Sequence, residues 1–391
     1  MALLNSQTLE RLTVVRRDIH AHPELAFQEV RTAGLVADYL RELGIDVHTG
    51  FGGTGVVGIV GDRSRGPVVG LRADMDALPI HEISGRAHAS ANPGIMHACG
   101  HDGHVAMLLG AAEILSSTEE LAGSVVLVFQ PAEEGAAGAV AMLDDGVIDR
   151  FGIEEIYGLH NIPGIPAGHF AVRPGTQLAS FDHLEITITA DGAHAMAPHH
   201  TGDVIVAGSS LVGQLQTIVS RRLDPFVPAV VSITQFLAGD TNNVLPPKAV
   251  LRGTARCLSA EARDRIEGIV GQMCDSVAAA HGVSIDLTYE RRYPCTVNDP
   301  ECAARAARVA TGVAGPDKVD PNTSGILAAE DFSFFLERIP GAYAFIGNGP
   351  ITEDRGPVHN AAYEFNDDII GAGAQFLAQV AQDAIADRRS R

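Results

Sequence analysis

The chain has 391 residues, 46% of them hydrophobic and 19% charged, a globular composition longer than one hydrophobic core usually serves, so two domains are expected. Its 28 basic residues face 48 acidic ones, for a net charge of −20, which excludes the basic footprint of a nucleic-acid binder and disfavours docking on an anionic membrane. No apolar run approaches the roughly 18 residues of a membrane span, and Met1–Ser6 has no basic segment leading into an apolar one, so neither a span nor a signal peptide is expected. Cys99, Cys257, Cys274, Cys295 and Cys302 are odd in number and irregularly spaced, which fits thiols in a reducing cytoplasm.

In chain order, residues 9–20 and 29–43 are patterned as amphipathic helices, the second stopping at Gly44. Residues 55–60 and 68–72 are short apolar runs bounded by glycines, hence strands. Asp74 and Asp76 follow the second of these. An apolar helix over 105–115 and a continuous apolar run over 124–129 come next; the latter is typical of a strand buried on both faces. That strand empties into Glu133-Glu134-Gly135, and a short strand over 156–159 empties into His160-Asn161. Ligands of open α/β sheets collect at the carboxyl ends of strands. Scattered acidic and imidazole residues at those ends are therefore expected to meet in space.

From about Phe181 to Cys295 the texture changes to alternating strands in a β-α-β-β-α-β order, the ferredoxin-like arrangement. The expected division is a discontinuous first domain over 1–182 and 297–391, interrupted by a second over 183–296. Beyond it lie a helix over 300–311, a short helix opened by Glu330-Asp331-Phe332, a strand over 342–346, a loop bearing His359 and a closing helix from Asn366.

The densest stretch is Met96-His97-Ala98-Cys99-Gly100-His101-Asp102-Gly103-His104, with three imidazoles, a thiol and a carboxylate in nine residues. It runs from a Gly/Pro-bearing loop into a helix, so the loop supplies reach and the helix fixes direction. Carboxylate, imidazole and thiolate together make a mixed donor set for a divalent transition metal. Adjacent residues on extended backbone face opposite sides, so Glu133 and Glu134 serve one site only if the chain turns there; Gly135 supports such a turn.

These motifs, with the Leu71–Pro79, Gly192–His199, Asn243–Pro246 and Ala329–Phe332 stretches, resemble the M20 family of metallopeptidases over nearly the whole chain. The likeness is greater to its amidohydrolase branch, which includes N-acyl-amino-acid, hippurate and auxin-conjugate hydrolases. The resemblance implies an α/β di-metal catalytic domain with a mixed sheet flanked by helices, interrupted by a small ferredoxin-like α+β domain. That insertion would act as a lid and join subunits into a homodimer or homotetramer. It implies Cys99, His101, Glu134, His160 and His359 as metal ligands and Glu133 as general base. His194 would steady the carbonyl oxygen, in its own or a neighbouring subunit, and Asn243 would contact substrate. Two divalent ions per subunit are implied, zinc or manganese first, nickel or cobalt next.

The chain departs from the wider family in carrying Asp74 and Asp76 where the family has a histidine two before an aspartate, and Cys99 in place of a bridging aspartate. Asp76 then matches an orienting residue, and Asp102, like His97 and His104, is expected to support the ligand imidazoles. The implied activity is hydrolysis of the amide of an N-acyl amino acid, a bound metal lowering the pKa of water from about 15.7 to roughly 7 while Glu133 takes the proton. The alternatives are a small-dipeptide peptidase of the same fold, or a metal or conjugate binder without turnover.

Overall fold

Strands that are buried at every position lie at the centre of the larger sheet, because both of their faces are covered. The computed structural model describes residues 4–119 and 121–390; of the N-terminal stretch, Met1, Ala2 and Leu3 lie outside them. The chain divides into two compact units, one of Met1–Gly175, Val297–Ser324 and Asp331–Arg391, the other of Thr176–Thr296 and Gly325–Glu330. The second unit thus begins before residue 183 and takes in a later hexapeptide. The reason is local bonding: Ala179 N–H donates to the carbonyls of Ile326 and Ala328 at 3.2 and 2.8 Å.

In the first unit eight of the described strands make one sheet in the order Asp46–Phe51, Gly55–Gly61, Ser124–Gln130, Val68–Asp74, Glu155–Pro163, Gly341–Gly349, Phe170–Ala171, Val319–Asp320. The four strands from Ser124–Gln130 to Gly341–Gly349 run parallel, and Gly55–Gly61 is antiparallel to its neighbour, making the sheet mixed. Val68–Asp74 and Ser124–Gln130 are buried at every position. The carboxyl ends of these parallel strands therefore open on one edge.

Two readings change. The Asp46–Phe51 strand was not expected, since its sequence alternates poorly and four of its six residues are polar or glycine. The strand expected to end at residue 159 runs on to Pro163, because its ladder continues through Phe345↔His160 and Ile346↔Asn161. His160 thus leaves the sheet from within a strand, which fixes its backbone more firmly than a loop would.

Helix His101–Ser116 buries every residue except Glu113 and Ser116, as expected of a helix apolar on all sides. It packs against helices Ser6–Ala21 and Ile370–Arg389. Gly100 caps it with φ +94, and a Cβ there would fall 2.2 Å from Asn161 Nδ2. Only glycine allows the chain to pass so close to its neighbour and enter the helix at His101.

The second unit is an antiparallel sheet ordered Ala229–Ala238, Lys248–Cys257, Ser180–Thr189, Ser284–Tyr293. Helices Val204–Thr217 and Ala260–His281 cover one face, around Ile186, Ile188, Leu211, Leu251 and Ile266. In chain order these elements follow the β-α-β-β-α-β pattern. All five cysteines are buried and outside any disulfide. Among the described residues no helix is long and apolar enough to cross a membrane.

The tight seat of the first turn of helix His101–Ser116 makes a test. A Cβ on Gly103 would lie 2.1 Å from the Phe365 ring, so Gly103→Ala is expected to cost about 1–3 kcal/mol by overpacking. Urea unfolding followed by circular dichroism should show a lower midpoint at unchanged slope; an unshifted midpoint would mean that Phe365 yields without cost.

Candidate metal centre

Four segments deliver the expected donors in the first unit. The loop before helix His101–Ser116 brings Cys99 and the helix brings His101; the turn after Ser124–Gln130 brings Glu134; strand Glu155–Pro163 brings His160. The loop after Gly341–Gly349 brings His359, whose N–H is tied to the Ala98 carbonyl at 2.7 Å. One atom each from Cys99, His101 and His160 lies within 4.8 Å of the other two, and so do atoms of Cys99, Glu134 and His359. Cys99 belongs to both groups, as a bridging thiolate would.

His101 has no hydrogen-bond partner on either ring nitrogen among the described residues, and neither has Glu134 Oε1, although His359 Nε2 lies 3.0 Å from it. Cys99 Sγ stands 3.4 Å from His160 Nε2. The other nitrogen of His160 lies 2.6 Å from its neighbour's carbonyl, Asn161 O; donation there turns the Nε2 lone pair toward the thiol. Buried polar atoms are normally hydrogen-bonded. Sulfur, nitrogen and oxygen donors that converge in this way, with His101 and Glu134 Oε1 left without hydrogen-bond partners, fit a divalent cation.

Glu133 and Glu134 reach the same site through a strained turn. Ala132 (φ 55) and Ala137 (φ 57) are left-handed, as is Gly135 at φ 77. For the two alanines this costs roughly 1–2 kcal/mol each. Asp76 holds the turn, accepting from the N–H groups of Glu133 at 3.0 Å and Glu134 at 2.9 Å. The same Asp76 Oδ1 lies 3.3 Å from His101 Nδ1, so Asp76 touches both a candidate ligand and the turn. Glu133 is 6% exposed and its Oε1 accepts weakly from Asp331 N–H at 3.4 Å.

Charge is balanced by shifted protonation. Burial opposes a charged His101, but Asp74, Asp76 and Cys99 overcome it and hold the imidazole well above the usual histidine range. The adjacent Cys99 and Glu134 push His359 up to about 10 against burial. Burial and the charge of Glu134 raise the Cys99 thiol, and burial holds His160 well below its ordinary value, next to His104. Protons thus supply the positive charge that a cation would bring.

Asp102 does not support the ligand imidazoles. One residue farther round the helix it points away, to His20 Nδ1 at 2.9 Å and Arg16 at 3.3 Å. These partners keep it ionised against burial. His104 sits between Asp74 Oδ1 at 2.6 Å and the N–H of Asn161 at 3.1 Å, beside His160. Arg72, whose sequence context gives no role, is 2% exposed and donates to Asp74 at 2.8 Å, Asp331 at 2.9 Å and Gln130 at 2.8 Å. His88 is mostly buried against Glu364 at 3.0 Å. His194 and Asn243 lie in the second unit, where His194 pairs in a short ladder with Val244 and the Asn243 carbonyl accepts from Ala195 at 2.9 Å.

A model described as Peptidase family M20/M25/M40 matches residues 70–383. The chain is 39% identical over 367 residues to a hippurate hydrolase of Campylobacter jejuni, covering 94% of each. To an N-acetyl-L-cysteine deacetylase of Bacillus subtilis it is 37% identical, covering 97% of this chain and 89% of the relative. Among solved structures, a dinuclear metal-binding peptidase of the M20 family from Bacillus subtilis superposes with a TM-score of 0.86 at 33% identity, covering 98% and 99%.

Because protons and cations compete for the same donors, metal uptake near pH 7 should release protons. His359, with its pKa raised to about 10, is protonated below that pH when no metal is bound, so affinity should rise with pH and the His359 share of the release should fade as pH passes about 10. Calorimetric titration of chelator-stripped protein in buffers of different ionisation enthalpy measures it; a proton count of zero at pH 7 would contradict this charge balance.

Proposed function

The chain belongs to peptidase family M20/M25/M40, and from that premise we propose that it is an enzyme that hydrolyses the amide bond of N-acyl amino acids. The products are a carboxylic acid and an amino acid. The hippurate hydrolase and N-acetyl-L-cysteine deacetylase relatives support this substrate class. The observation that carries the reading is the neighbour pair: Glu134 stands with Cys99 and His359, and Glu133 on the same turn stands with His101 and Glu134, each set within 4.8 Å.

Cys99, His101, Glu134, His160 and His359 would hold two divalent cations, with Cys99 shared. Such cations supply Lewis acidity toward an amide carbonyl and acidify water. The chain's own residues do the rest. Glu133 takes a proton as water oxygen bonds to the carbonyl carbon, and it returns that proton to the nitrogen as the C–N bond breaks. Asp331 N–H steadies one oxygen of Glu133 and Asp76 fixes its backbone. His104 sets the Asn161 backbone beside His160. A thiolate among imidazoles and carboxylates favours zinc, with manganese, nickel and cobalt compatible.

His194 is assigned to the carbonyl oxygen and Asn243 to substrate by family resemblance, and the second unit to joining subunits. The buried thiols fit a cytoplasmic setting.

Glu133→Gln keeps the shape and loses the base. It is expected to lower kcat roughly 10²–10⁴-fold with metal content unchanged by elemental analysis, assayed on acetyl, benzoyl and indolylacetyl amino acids and simple dipeptides. His194→Ala should likewise lose turnover and keep its metal. A Glu133→Gln protein as active as the parent would refute the assignment. A metal-loaded parent inert on the whole panel would favour a binding protein instead.

A further inference from the structure

Among the described residues, the non-glycine residues with positive φ are Phe27, Ala132, Ala137 and His359. His359 is a candidate ligand, and Ala132 and Ala137 flank the turn that carries Glu133 and Glu134. Phe27 stands far away in sequence, yet one side chain joins it to that turn. Glu29 Oε1 accepts from the N–H of Phe27 at 3.0 Å and from the N–H of Ala132 at 2.9 Å. Its other oxygen accepts from the Thr54 hydroxyl at 2.6 Å. Glu29 is fully buried and makes no contact with the candidate ligands in any of these bonds.

The three successive N–H groups of Ala132, Glu133 and Glu134 are therefore held by two buried carboxylates. Glu29 takes the first and Asp76 takes the other two. A left-handed alanine relaxes toward ordinary backbone unless its surroundings hold it. Relaxation at Ala132 would rotate the peptide that follows and re-aim Glu133 and Glu134 together.

We propose that Glu29 is a positioning residue: by accepting from Ala132 N–H it locks the left-handed turn that aims the candidate base Glu133 and the candidate ligand Glu134. The assignment rests on the metal-centre reading above and extends it to a residue outside the metal-binding motifs. What matters is the acceptor at Oε1, not the charge. Glutamine meets that need, because its amide oxygen accepts both N–H groups while its NH₂ donates to the Thr54 oxygen. Methionine fills similar space and accepts from neither.

The test is a cobalt(II) titration of chelator-stripped full-length protein by calorimetry, beside thermal unfolding of each metal-free form. Glu29→Met is expected to weaken cobalt binding roughly 10–100-fold, whereas Glu29→Gln stays close to the parent. Adding Ala132→Gly to Glu29→Met should restore part of the loss, because glycine holds the left-handed turn without help. A merely structural role would lower the unfolding temperature of Glu29→Met without that rescue. Should Glu29→Met not fold, Thr54→Val loosens the same carboxylate and should weaken cobalt binding in the same direction. Parent-like cobalt affinity in Glu29→Met, or in Thr54→Val where only that variant folds, overturns the proposal. The titration uses no substrate, so an inert substrate panel would sink the hydrolase reading and leave this result standing.

Discussion

Lone pairs buried at the carboxyl edge of a sheet need positive partners, and the first unit is arranged around that need. An unpartnered buried charge costs several kcal/mol. Asp74 and Asp331 meet the requirement through Arg72, and Asp74 also accepts a hydrogen bond from His104 Nδ1. Asp76 meets it with backbone N–H groups. After these pairings, the side chains of Cys99, His101, Glu134, His160 and His359 face one another. Protons raised onto His101 and His359 balance that set in one state, and divalent cations would balance it in the other.

The turn at Glu133 and Glu134 shows how one short segment yields two kinds of carboxylate. On extended backbone the pair would diverge. Left-handed residues at Ala132, Gly135 and Ala137 fold the segment back, with its amides held by buried acceptors. One glutamate then stands among metal donors while its neighbour meets a backbone donor from Asp331. Strain of this kind persists only where the surroundings over-determine it, and here the surroundings are carboxylates drawn from distant parts of the chain.

Much of this was legible in the sequence, for physical reasons. The strand over 124–129 is apolar at every position from Val125 to Phe129, and only burial on both faces explains that. Gly135 after two glutamates signalled a turn, and the Cys99-x-His101 spacing before an apolar helix signalled a ligand loop. What was hidden depends on tertiary partners. Asp102 lies next to the candidate ligand His101 in sequence, yet helical rotation sends it to Arg16 and His20. Arg72 and Glu29 look like ordinary charged residues until partners as far along as Asp331 and Ala132 arrive. His160 stood beyond an expected strand end because a ladder with Gly341–Gly349 cannot be seen from residues 156–161 alone.

The central claim is that Cys99 shares its sulfur with donors from other segments around bound cations. The most direct measurement is the near-ultraviolet absorption of the cobalt(II)-loaded protein, where a thiolate ligand produces a sulfur-to-metal charge-transfer band. A band that appears in the parent and vanishes in Cys99→Ala, with the other four thiols unchanged, is the expected result. A parent without the band, or a Cys99→Ala protein that keeps it, would contradict the account.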